Sequence, residues 1–530
     1  MSHGHKCWYR YERNHLTDEA PSFANLHITT FFIVALFCSA CAVVDPSSST
    51  QADGSELAGE SAGEIMAGEI MAGEIMAGEI MAGEIMAGEI MAGEMVAGEM
   101  IAGEMIAGEM IAGEMIAGEM IAGSVSPPAD LIGYNLCGLG ADVQRAVGTN
   151  ADPIVATYSP FVDRHNTSQS TQDLYNTYDC AADRREFGRE VIYEFTLPSP
   201  GYFRAEVRDE AGVDIDLHLL HNPSVDANGL VSGCLDRDDR LIEYDDLPAG
   251  TYQIVADSWT NLSGIEFEGA FDIAFEWLPY DQWTEAPIAE GVNLRRYLGD
   301  YDGARRLVHL LIADPGYEVS ARRHNGCETV ASALDGEGAF IGINANYFNS
   351  GQRCAPTDFL KDQGVTITRN GTTMFEQRTF GWDQAGNLSV RWLPYLTDWP
   401  EVFQGVGGYP SLIINGEVAV EVREGEQVYS STDWSDQPRS AMGHTNTGQL
   451  VFAVADGRNR LSAGLFNMQW AQLLSEELNF SEAMGLDGGG SSTLVIRDCW
   501  LNHIVNFPSD SSNLSHSGER AVGSGLYLGN

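Results

Sequence analysis

The sequence is poor in positive charge. Its 530 residues include 29 lysines and arginines against 76 aspartates and glutamates, which gives a formal net charge of −47 at pH 7. Proteins that bind nucleic acid present basic patches to the phosphate backbone, so this balance excludes that class. It also argues against adsorption to anionic lipid, and no pattern in the sequence indicates a protein partner.

Long hydrophobic runs are lacking as well. Residues 28–42 are apolar but fall short of the about 20 residues that a membrane-spanning helix needs, and they suit the hydrophobic region of an export signal. The run ends in Cys38-Ser39-Ala40-Cys41, which resembles the lipobox of a bacterial lipoprotein. We expect residues 1–41 to direct export to the bacterial cell envelope and a lipid on Cys41 to anchor the protein in the membrane. An ordinary cleaved signal peptide is the alternative.

Cysteine is sparse, with nine residues, and the six that follow Cys41 include no pair at C-x-x-C spacing, which argues against a zinc or thiol-redox site. Cleavage of the leader and acylation of Cys41 leave an even number, compatible with three disulfides in an exported chain. We expect Cys327 and Cys354 to form one of them. The remaining cysteines are not assigned by the sequence: Cys137, Cys180, Cys234 and Cys499.

Residues 42–124 are dominated by a five-residue repeat, Ala-Gly-Glu-Ile-Met, which later becomes Ala-Gly-Glu-Met-Ile. A period of five gathers apolar residues on neither a helix face nor a strand face. The glycine in each unit weakens a helix by about 1 kcal/mol relative to alanine. We expect a disordered spacer that holds the folded domains away from the membrane; a pentapeptide β-helix is the alternative.

Residues 125–279 predict an all-β sandwich, because short alternating runs are separated by turn residues such as Pro198-Ser199-Pro200-Gly201. Three phrases resemble the bacterial pre-peptidase C-terminal (PPC-like) domain, an accessory module: Tyr193-x-Phe195, Asp214-x-Asp216-Leu217-x-Leu219 and Ala249-Gly250-Thr251-Tyr252.

Five aspartates of this segment crowd one strand and one loop: Asp214, Asp216, Asp236, Asp238 and Asp239. Carboxylate clusters can hold calcium. A solvated acidic loop is the interpretation that we favour, because no glycine-spaced loop of the EF-hand type is present.

After a linker at residues 280–299, residues 300–530 show a pattern of alternating helix and strand. Apolar runs predict strands, and two segments predict helices by their caps and apolar periodicity. We therefore expect an α+β (mixed α/β) catalytic domain after the sandwich. The strands are at 307–313, 339–343, 412–414, 450–455 and 494–496, and the helices at 329–334 and 462–474.

Asp456 and Asp487 each end an apolar strand and precede a glycine. Glycosyl transfer needs paired carboxylates, one as acid and one as base or nucleophile. The run Gly488-Gly489-Gly490-Ser491-Ser492 can turn several backbone N–H groups toward one anion, and Arg439 and Arg458 can grip a phosphate. Three successive glycines cost much chain entropy, so we expect a function; a simple Asp-Gly turn is the alternative.

Residues 300–530 resemble the phosphodiester glycosidase family. The resemblance depends on seven phrases in order: Asn344-Ala345-Asn346-Tyr347-Phe348, Gly408-Tyr409-Pro410-Ser411-Leu412, Pro438-Arg439-Ser440-Ala441-Met442-Gly443, Asp456-Gly457-Arg458, Ser462-Ala463-Gly464, Leu486-Asp487-Gly488-Gly489-Gly490-Ser491-Ser492 and Gly518-Glu519-Arg520-Ala521-Val522. Alanine at position 345 replaces the commoner glycine of the first phrase.

The resemblance implies a cell-surface hydrolase that cleaves the bond between a sugar anomeric carbon and phosphate in a carbohydrate phosphodiester, within a polysaccharide or a glycolipid. Asp456 and Asp487 are then the acid and base or nucleophile, in an order that we leave open, and Glu519 is a third candidate acid partnered by Arg520. Phosphate would lie against Arg439, Arg458 and the run Gly488, Gly489, Gly490 and Ser491, and sugar hydroxyls against Asn346 and Ser492. An ion pair with Asp456 is the alternative role of Arg458.

Two other functions stay open at this point. One is a phosphodiesterase that cleaves at phosphorus, with a divalent metal held by the aspartates; the glycosidase reaction itself requires no cofactor that the sequence identifies. The other is a non-catalytic surface protein that binds glycans.

Overall fold

The computed structural model describes Cys137 and residues 148–529, with the exception of 185, 372–375, 428–434 and 512–513. The predicted export signal, the lipidated Cys41 and the repeat spacer lie outside the described residues. No helix in the described part of the chain combines the length and the apolarity that crossing a membrane takes.

Residues 154–279 form two antiparallel-rich sheets that share one hydrophobic core, and we call this unit the sandwich. The six-stranded sheet has the order β1-β4-β9-β6-β7-β3, and the four-stranded sheet has the order β2-β10-β5-β8. The strands are β1 (Ile154–Val155), β2 (Phe161–Asn166), β3 (Thr177–Tyr178), β4 (Glu190–Leu197), β5 (Gly201–Asp209), β6 (Ile215–Val225), β7 (Leu230–Asp238), β8 (Leu241–Leu247), β9 (Gly250–Ser258) and β10 (Ala270–Pro279).

The remainder of the chain, residues 282–529, forms a second unit of three larger sheets, a short hairpin and two helices. Its elements are β11 (Gln282–Ala289), β12 (Val292–Tyr301), β13 (Ala304–Ala313), β14 (Glu318–Glu328), α1 (Val330–Glu337), β15 (Ile341–Asn344), β16 (Phe348–Asn349), β17 (Ala355–Pro356), β18 (Leu360–Asp362), β19 (Val365–Thr368), β20 (Gln377–Trp382), β21 (Leu388–Leu393), β22 (Gln404–Gly408), β23 (Ser411–Ile414), β24 (Glu417–Arg423), β25 (Glu426–Gln427), β26 (Arg439–Thr445), β27 (Leu450–Ala455), α2 (Asn467–Glu477), β28 (Phe480–Gly485), β29 (Leu494–Ile496) and β30 (Val522–Gly529).

The largest sheet has nine strands in the order β11-β12-β13-β27-β26-β28-β23-β24-β25. Beside it lie a four-stranded sheet, β14-β30-β15-β29, and a five-stranded sheet, β19-β18-β22-β20-β21. Along β27, Phe452 and Val454 point into a core shared with those two sheets, whereas Val451 and Ala453 face Trp470 of α2. The nine-stranded sheet is therefore the middle layer, covered on both faces.

The prediction of an α+β fold is wrong, because the described residues of this region are mostly strand and contain two short helices. Continuous apolar strands are typical of sheets buried between helices, which is why the sequence favoured that class. Here a second layer of sheet buries one face and α2 buries the other, so the strands have the same apolar composition as strands that lie between helices. The predicted linker at 280–299 is also wrong, since β11 and β12 belong to the nine-stranded sheet.

One of the two predicted helices lies where it was expected. Helix α1 starts after Thr329, whose hydroxyl accepts from the Ser332 N–H at 3.2 Å, as an N-cap does. The other helix, α2, begins at Asn467 and not at Ser462. Ser462 instead donates its hydroxyl hydrogen to the Asp456 carbonyl at 2.6 Å.

All six cysteines left by the predicted leader are paired. The predicted disulfide between Cys327 and Cys354 is confirmed. The other two bonds are Cys180–Cys234, within the sandwich, and Cys137–Cys499, which ties the segment before the sandwich to the C-terminal region.

Candidate functional site

The glycine loop, residues 487–493, connects β28 to β29 and begins with Asp487. Its backbone is held on two sides: the Asp487 N–H donates to the Ala345 carbonyl at 2.9 Å, and the Asp487 carbonyl accepts from Asn344 Nδ2 at 2.6 Å. Asn344 is fixed in turn, because its Oδ1 accepts from Ser440 Oγ at 2.8 Å. Side chains of β15 and β26 therefore set the position of Asp487, although it lies in a loop.

The Asp487 carboxyl is half-buried. Burial raises its pKa from 3.8 to about 6, and the rise is opposed by a hydrogen bond from Ser491, the charge of Arg520 and the Gly488 N–H. A carboxyl with a pKa near the working pH suits general acid–base or nucleophilic chemistry. Asp487 is thus the strongest candidate for the reacting group.

Tyr347 lies beside Asp487, and Tyr409 and Arg439 lie beside Tyr347. Burial raises the pKa of Tyr347 well above its ordinary value, the charge of Asp487 adds to the rise, and the charge of Arg439 opposes it. The Tyr347 hydroxyl donates to the Tyr409 carbonyl at 3.4 Å, and the two rings meet edge to face at 6.3 Å between centroids. Both tyrosines are half-buried, so aromatic surface lines the approach to the carboxyl.

A second carboxyl at the site, Asp358, is one that the sequence did not reveal. It is 4% exposed and accepts hydrogen bonds from the Tyr347 N–H at 2.9 Å and from Gln377 Nε2. Burial raises its pKa to about 7, and repulsion by Asp487 adds to the rise. Asp358 follows a threonine and precedes a phenylalanine, so neither a glycine nor a repeated phrase marks it.

The glycine loop does not form the predicted anion nest. Four of its five N–H groups from Gly488 to Ser492 donate within the protein, to the Asp487 carboxylate and the carbonyls of Pro438, Gly488 and Gly489. Among the described residues, the Gly490 N–H has no such acceptor. A Cβ at Gly490 would lie 2.2 Å from Arg520 Nη2, so the loop and the Arg520 side chain are in close contact at this point.

Two exposed arginines flank the glycine loop. Arg458 donates to Gln437 Oε1 from Nε at 2.9 Å and also from Nη2, and its Nη2 lies 3.1 Å from where a Cβ of Gly489 would be. Because Gln437 is neutral, the charge of Arg458 is not neutralised within the described residues, and the alternative ion pair with Asp456 is absent there. Arg520 donates from Nη1 to Ser491 Oγ at 3.4 Å.

Arg520 and Arg439 have partners other than those predicted. The partner of Arg520 is Asp510, which accepts two hydrogen bonds at 2.8 and 3.0 Å; it is not Glu519. Arg439 donates to the carbonyls of Leu465 at 2.8 Å and Ser435 at 3.1 Å, while its charge acts on Tyr347. Arg439 thus lies at the site but is committed to the backbone around it.

Asp456 lies beneath the site and has a structural environment. It is 1% exposed. Its carboxylate accepts from Asn506 Nδ2 at 2.9 Å, from the Phe507 N–H at 3.0 and 3.2 Å, and is 3.0 Å from His309 Nε2. Both oxygens are occupied and no surface is open to a substrate, so the predicted catalytic role of Asp456 conflicts with its geometry.

Asn346 and Ser492 are also in the interior. Asn346 is 2% exposed, and its Nδ2 donates to the carbonyls of Phe359 at 3.2 Å and Gly407 at 2.9 Å, so it joins two strands and does not face a sugar. Ser492 is equally buried, and its hydroxyl has no hydrogen-bond partner among the described residues.

Glu519 caps a helix. Its carboxylate accepts from the N–H groups of Val330 at 3.0 Å and Ala331 at 3.2 Å, the first turn of α1. The first N–H groups of a helix have no intrahelical acceptor, and Glu519 supplies one, although burial outweighs these hydrogen bonds and raises the pKa of the carboxyl. Glu519 is therefore a structural acid, and the prediction of a catalytic role conflicts with this placement.

Arg237 pairs with two of the five predicted aspartates of the sandwich, Asp216 and Asp239. Asp216 is buried and forms an ion pair with Arg237, which also contacts Glu186 at 3.4 Å and Asp239. No group of three or more His, Cys, Asp or Glu side chains is arranged to hold a metal within the described residues.

Comparison with known proteins finds similarity over the region that contains the site. Residues 337–529 match the phosphodiester glycosidase family. The chain is 24% identical over 254 residues to the mouse N-acetylglucosamine-1-phosphodiester alpha-N-acetylglucosaminidase, covering 43% of this chain and 47% of the relative. It is 26% identical over 263 residues to the human protein of the same name, covering 44% and 48%. The chain thus spans about half the length of the curated relatives that it matches.

Among solved structures, the zebrafish N-acetylglucosamine-1-phosphodiester alpha-N-acetylglucosaminidase catalytic domain, auto-inhibited by its pro-peptide, is 21% identical and has a TM-score of 0.37. The match covers 45% of this chain and 82% of the zebrafish chain. The predicted resemblance of the sandwich to PPC-like domains stays a prediction. Residues 337–529, which carry Asp487 and the glycine loop, are therefore similar to the phosphodiester glycosidase family.

Proposed function

We propose that the protein is a hydrolase that cleaves the bond between the anomeric carbon of a sugar and the phosphate of a sugar-1-phosphodiester. One observation carries the proposal: the half-buried Asp487, with a pKa of about 6, begins a loop that two exposed arginines flank. The relatives named for N-acetylglucosamine-1-phosphodiester support the same bond type, with N-acetylglucosamine as the first sugar to test.

Asp487 is the group that acts at the anomeric carbon. With a pKa of about 6 it is about nine-tenths ionised at pH 7, so it serves as the nucleophile or as the base that activates water. The leaving group is a phosphate monoester, which departs as a stable anion. Strong protonation of that group is therefore less necessary than in ordinary glycoside hydrolysis, and Asp456 is not required as a second carboxyl.

Arg458 and Arg520 are the groups that stabilise the departing phosphate. A protein of charge −47 does not attract an anionic polymer at long range, so phosphate binding must come from local positive charge. Arg458 has a neutral partner and offers its whole charge, whereas Asp510 neutralises part of that of Arg520. The half-buried rings of Tyr347 and Tyr409 offer the apolar surface on which a sugar can pack.

The cellular setting is part of the proposal. We propose that the protein is exported and anchored by a lipid on Cys41, where it would act on envelope polysaccharide or glycolipid. Incorporation of labelled palmitate in a bacterial host tests this, with Cys41→Ser as the variant that should remain unlabelled and should leave the membrane fraction. Equal labelling of both proteins would contradict it.

Hydrolysis in oxygen-18 water tests the reaction. The substrate is the methyl phosphodiester of N-acetylglucosamine 1-phosphate, and the products are analysed by mass spectrometry at early times. Label at C1 of the sugar supports the glycosidase, because water then replaces phosphate at carbon. Label in the phosphate means cleavage at phosphorus and refutes it, and binding without turnover would favour a glycan-binding protein.

A further inference from the structure

The sandwich contacts the C-terminal unit at the segment that supports the glycine loop. Arg204 of β5 donates to the Leu514 carbonyl at 3.0 Å, and Glu206 of the same strand accepts from Trp500 Nε1 at 2.9 Å. Tyr202 packs edge to face against Phe507 at 6.0 Å between ring centroids. Residues 500–511 and 514–516 are therefore held against one face of the sandwich.

The centre of this contact is a buried charge cluster around Glu276 of β10. One oxygen of Glu276 lies 2.8 Å from His516 Nε2, and the other bonds to Arg296 Nη1. All three side chains are at most 1% exposed. Burial alone would raise the pKa of Glu276, but His516 and Arg296 outweigh it and lower the pKa to about 2, so the sandwich presents a permanent carboxylate.

His516 links Glu276 to Asn506, in the segment beneath the site. Its Nδ1 lies 3.0 Å from the Asn506 carbonyl, so its two ring nitrogens contact Asn506 and Glu276. The ring is packed between Trp500 and Phe507, with distances of 4.0 and 4.1 Å between ring centroids. The position of His516 is therefore determined on all sides.

Asn506 is the last link before the glycine loop. Its Nδ2 donates to the Ser492 carbonyl at 3.1 Å and to the Asp456 carboxylate at 2.9 Å. Its Oδ1 accepts from the Leu494 N–H at 2.8 Å. A shift of Asn506 would therefore move the end of the loop that starts at Asp487.

We propose that the sandwich positions the glycine loop, and that Glu276 is a positioning residue that acts through His516 and Asn506. The inference deepens the proposed function, on which its kinetic part rests. Glu276, His516 and Asn506 are buried, so water cannot replace a lost link, and the loop would relax when the carboxylate is removed. The sandwich is then a part of the enzyme's site architecture, beyond any role in attachment.

Two measurements on the full chain test this, with Glu276→Gln as the variant. Amide hydrogen exchange of peptides covering residues 486–495 should be at least tenfold faster than in the natural protein. The value of kcat/KM on the methyl phosphodiester should fall about 10- to 100-fold, the range that a small misplacement of reacting groups costs. The control is Thr167→Val, which removes a buried hydrogen bond within the sandwich, Thr167 Oγ1 accepting from the Gly269 N–H at 3.0 Å.

Thr167→Val should leave exchange at 486–495 and kcat/KM within about twofold. Equal exchange in the two variants would overturn the proposal, because the effect would then be general destabilisation. If Glu276→Gln does not fold, His516→Gln breaks the next link and must give the same local exchange. The exchange result does not depend on turnover, so loss of the proposed function and loss of this inference give different outcomes.

Discussion

Replacement of Asp487 by asparagine should abolish most activity while making the protein more stable at neutral pH. The fold raises the pKa of this carboxyl from 3.8 to about 6, a shift of about two units or about 3 kcal/mol. The folded state therefore holds the proton more tightly than the unfolded state does. The ionised Asp487 carboxylate therefore destabilises the folded state. This loss of stability develops as the pH rises from about 4 to about 6, and it reaches its full value above that range.

The net gain is smaller than this cost. Asparagine keeps an acceptor for Ser491 and Gly488, but the bonds lose their charge assistance, at a cost of about 1 kcal/mol. We expect Asp487→Asn to stabilise the fold by about 2 kcal/mol at pH 7, seen as a rise of about 2–4 °C in the thermal midpoint. At pH 4 the gain should be gone. Turnover should fall by about 10²- to 10⁴-fold, as for loss of a catalytic carboxyl.

The assay is calorimetric melting at pH 4 and pH 7, together with steady-state hydrolysis of the methyl phosphodiester. Asp246→Asn, which removes an exposed aspartate from the sandwich, controls for the change in net charge. If Asp487→Asn lowers the thermal midpoint equally at both pH values, the carboxyl is not destabilised by burial and the reasoning fails. Retained turnover would refute the assignment of the reacting group.

Three further results are expected. Arg458→Gln should raise KM for the phosphodiester about tenfold in steady-state kinetics, as loss of a charge-assisted bond implies. The control is Arg460→Gln, an arginine that is also exposed but is paired with Glu243, and it should leave KM unchanged. An equal rise in KM for the two variants would contradict the phosphate role of Arg458. Glu519→Ala should lower stability by about 1 kcal/mol, because the Val330 and Ala331 N–H groups at the start of α1 lose their acceptor, with kcat unchanged; lost turnover in a fully stable variant would restore it as a catalytic acid. The pKa of Glu276, lowered from 4.5 to about 2, contributes about 3 kcal/mol above pH 4.5 that is lost as the pH falls through 2. Acid-unfolding curves of Glu276→Gln should lack that loss, and an unchanged acid midpoint would contradict it.

The strands of the C-terminal region could largely be predicted from local pattern, whereas its class could not. The runs at 307–313 and 450–455 lie within β13 and β27. A strand buried on both faces has the same composition whether helices or sheets cover it, so the pattern did not distinguish the two. What covers β27 is decided by residues outside the strand, in β15, which lies more than 100 positions earlier, and in α2.

The residues of the candidate site also differ in whether the sequence could predict them. Asp487 could be found from the sequence because a carboxylate before three glycines is a local signal. Asp358 could not, since its raised pKa arises from burial and from Asp487, more than 100 positions away. Asp456 has the same local pattern as Asp487, and only its hydrogen bonds from Asn506 and Phe507 show a structural role.

The sequence by itself therefore determined the charge balance, the family phrases and the loop that begins at Asp487. It also predicted the spacer and the export signal. The tertiary structure decided which acids are open to a substrate, which arginines keep their charge, and that the sandwich reaches the site through Glu276 and His516. The physical reason is that local patterns are set by neighbours in the chain. Burial, pKa and hydrogen-bond partnership are set by neighbours in space.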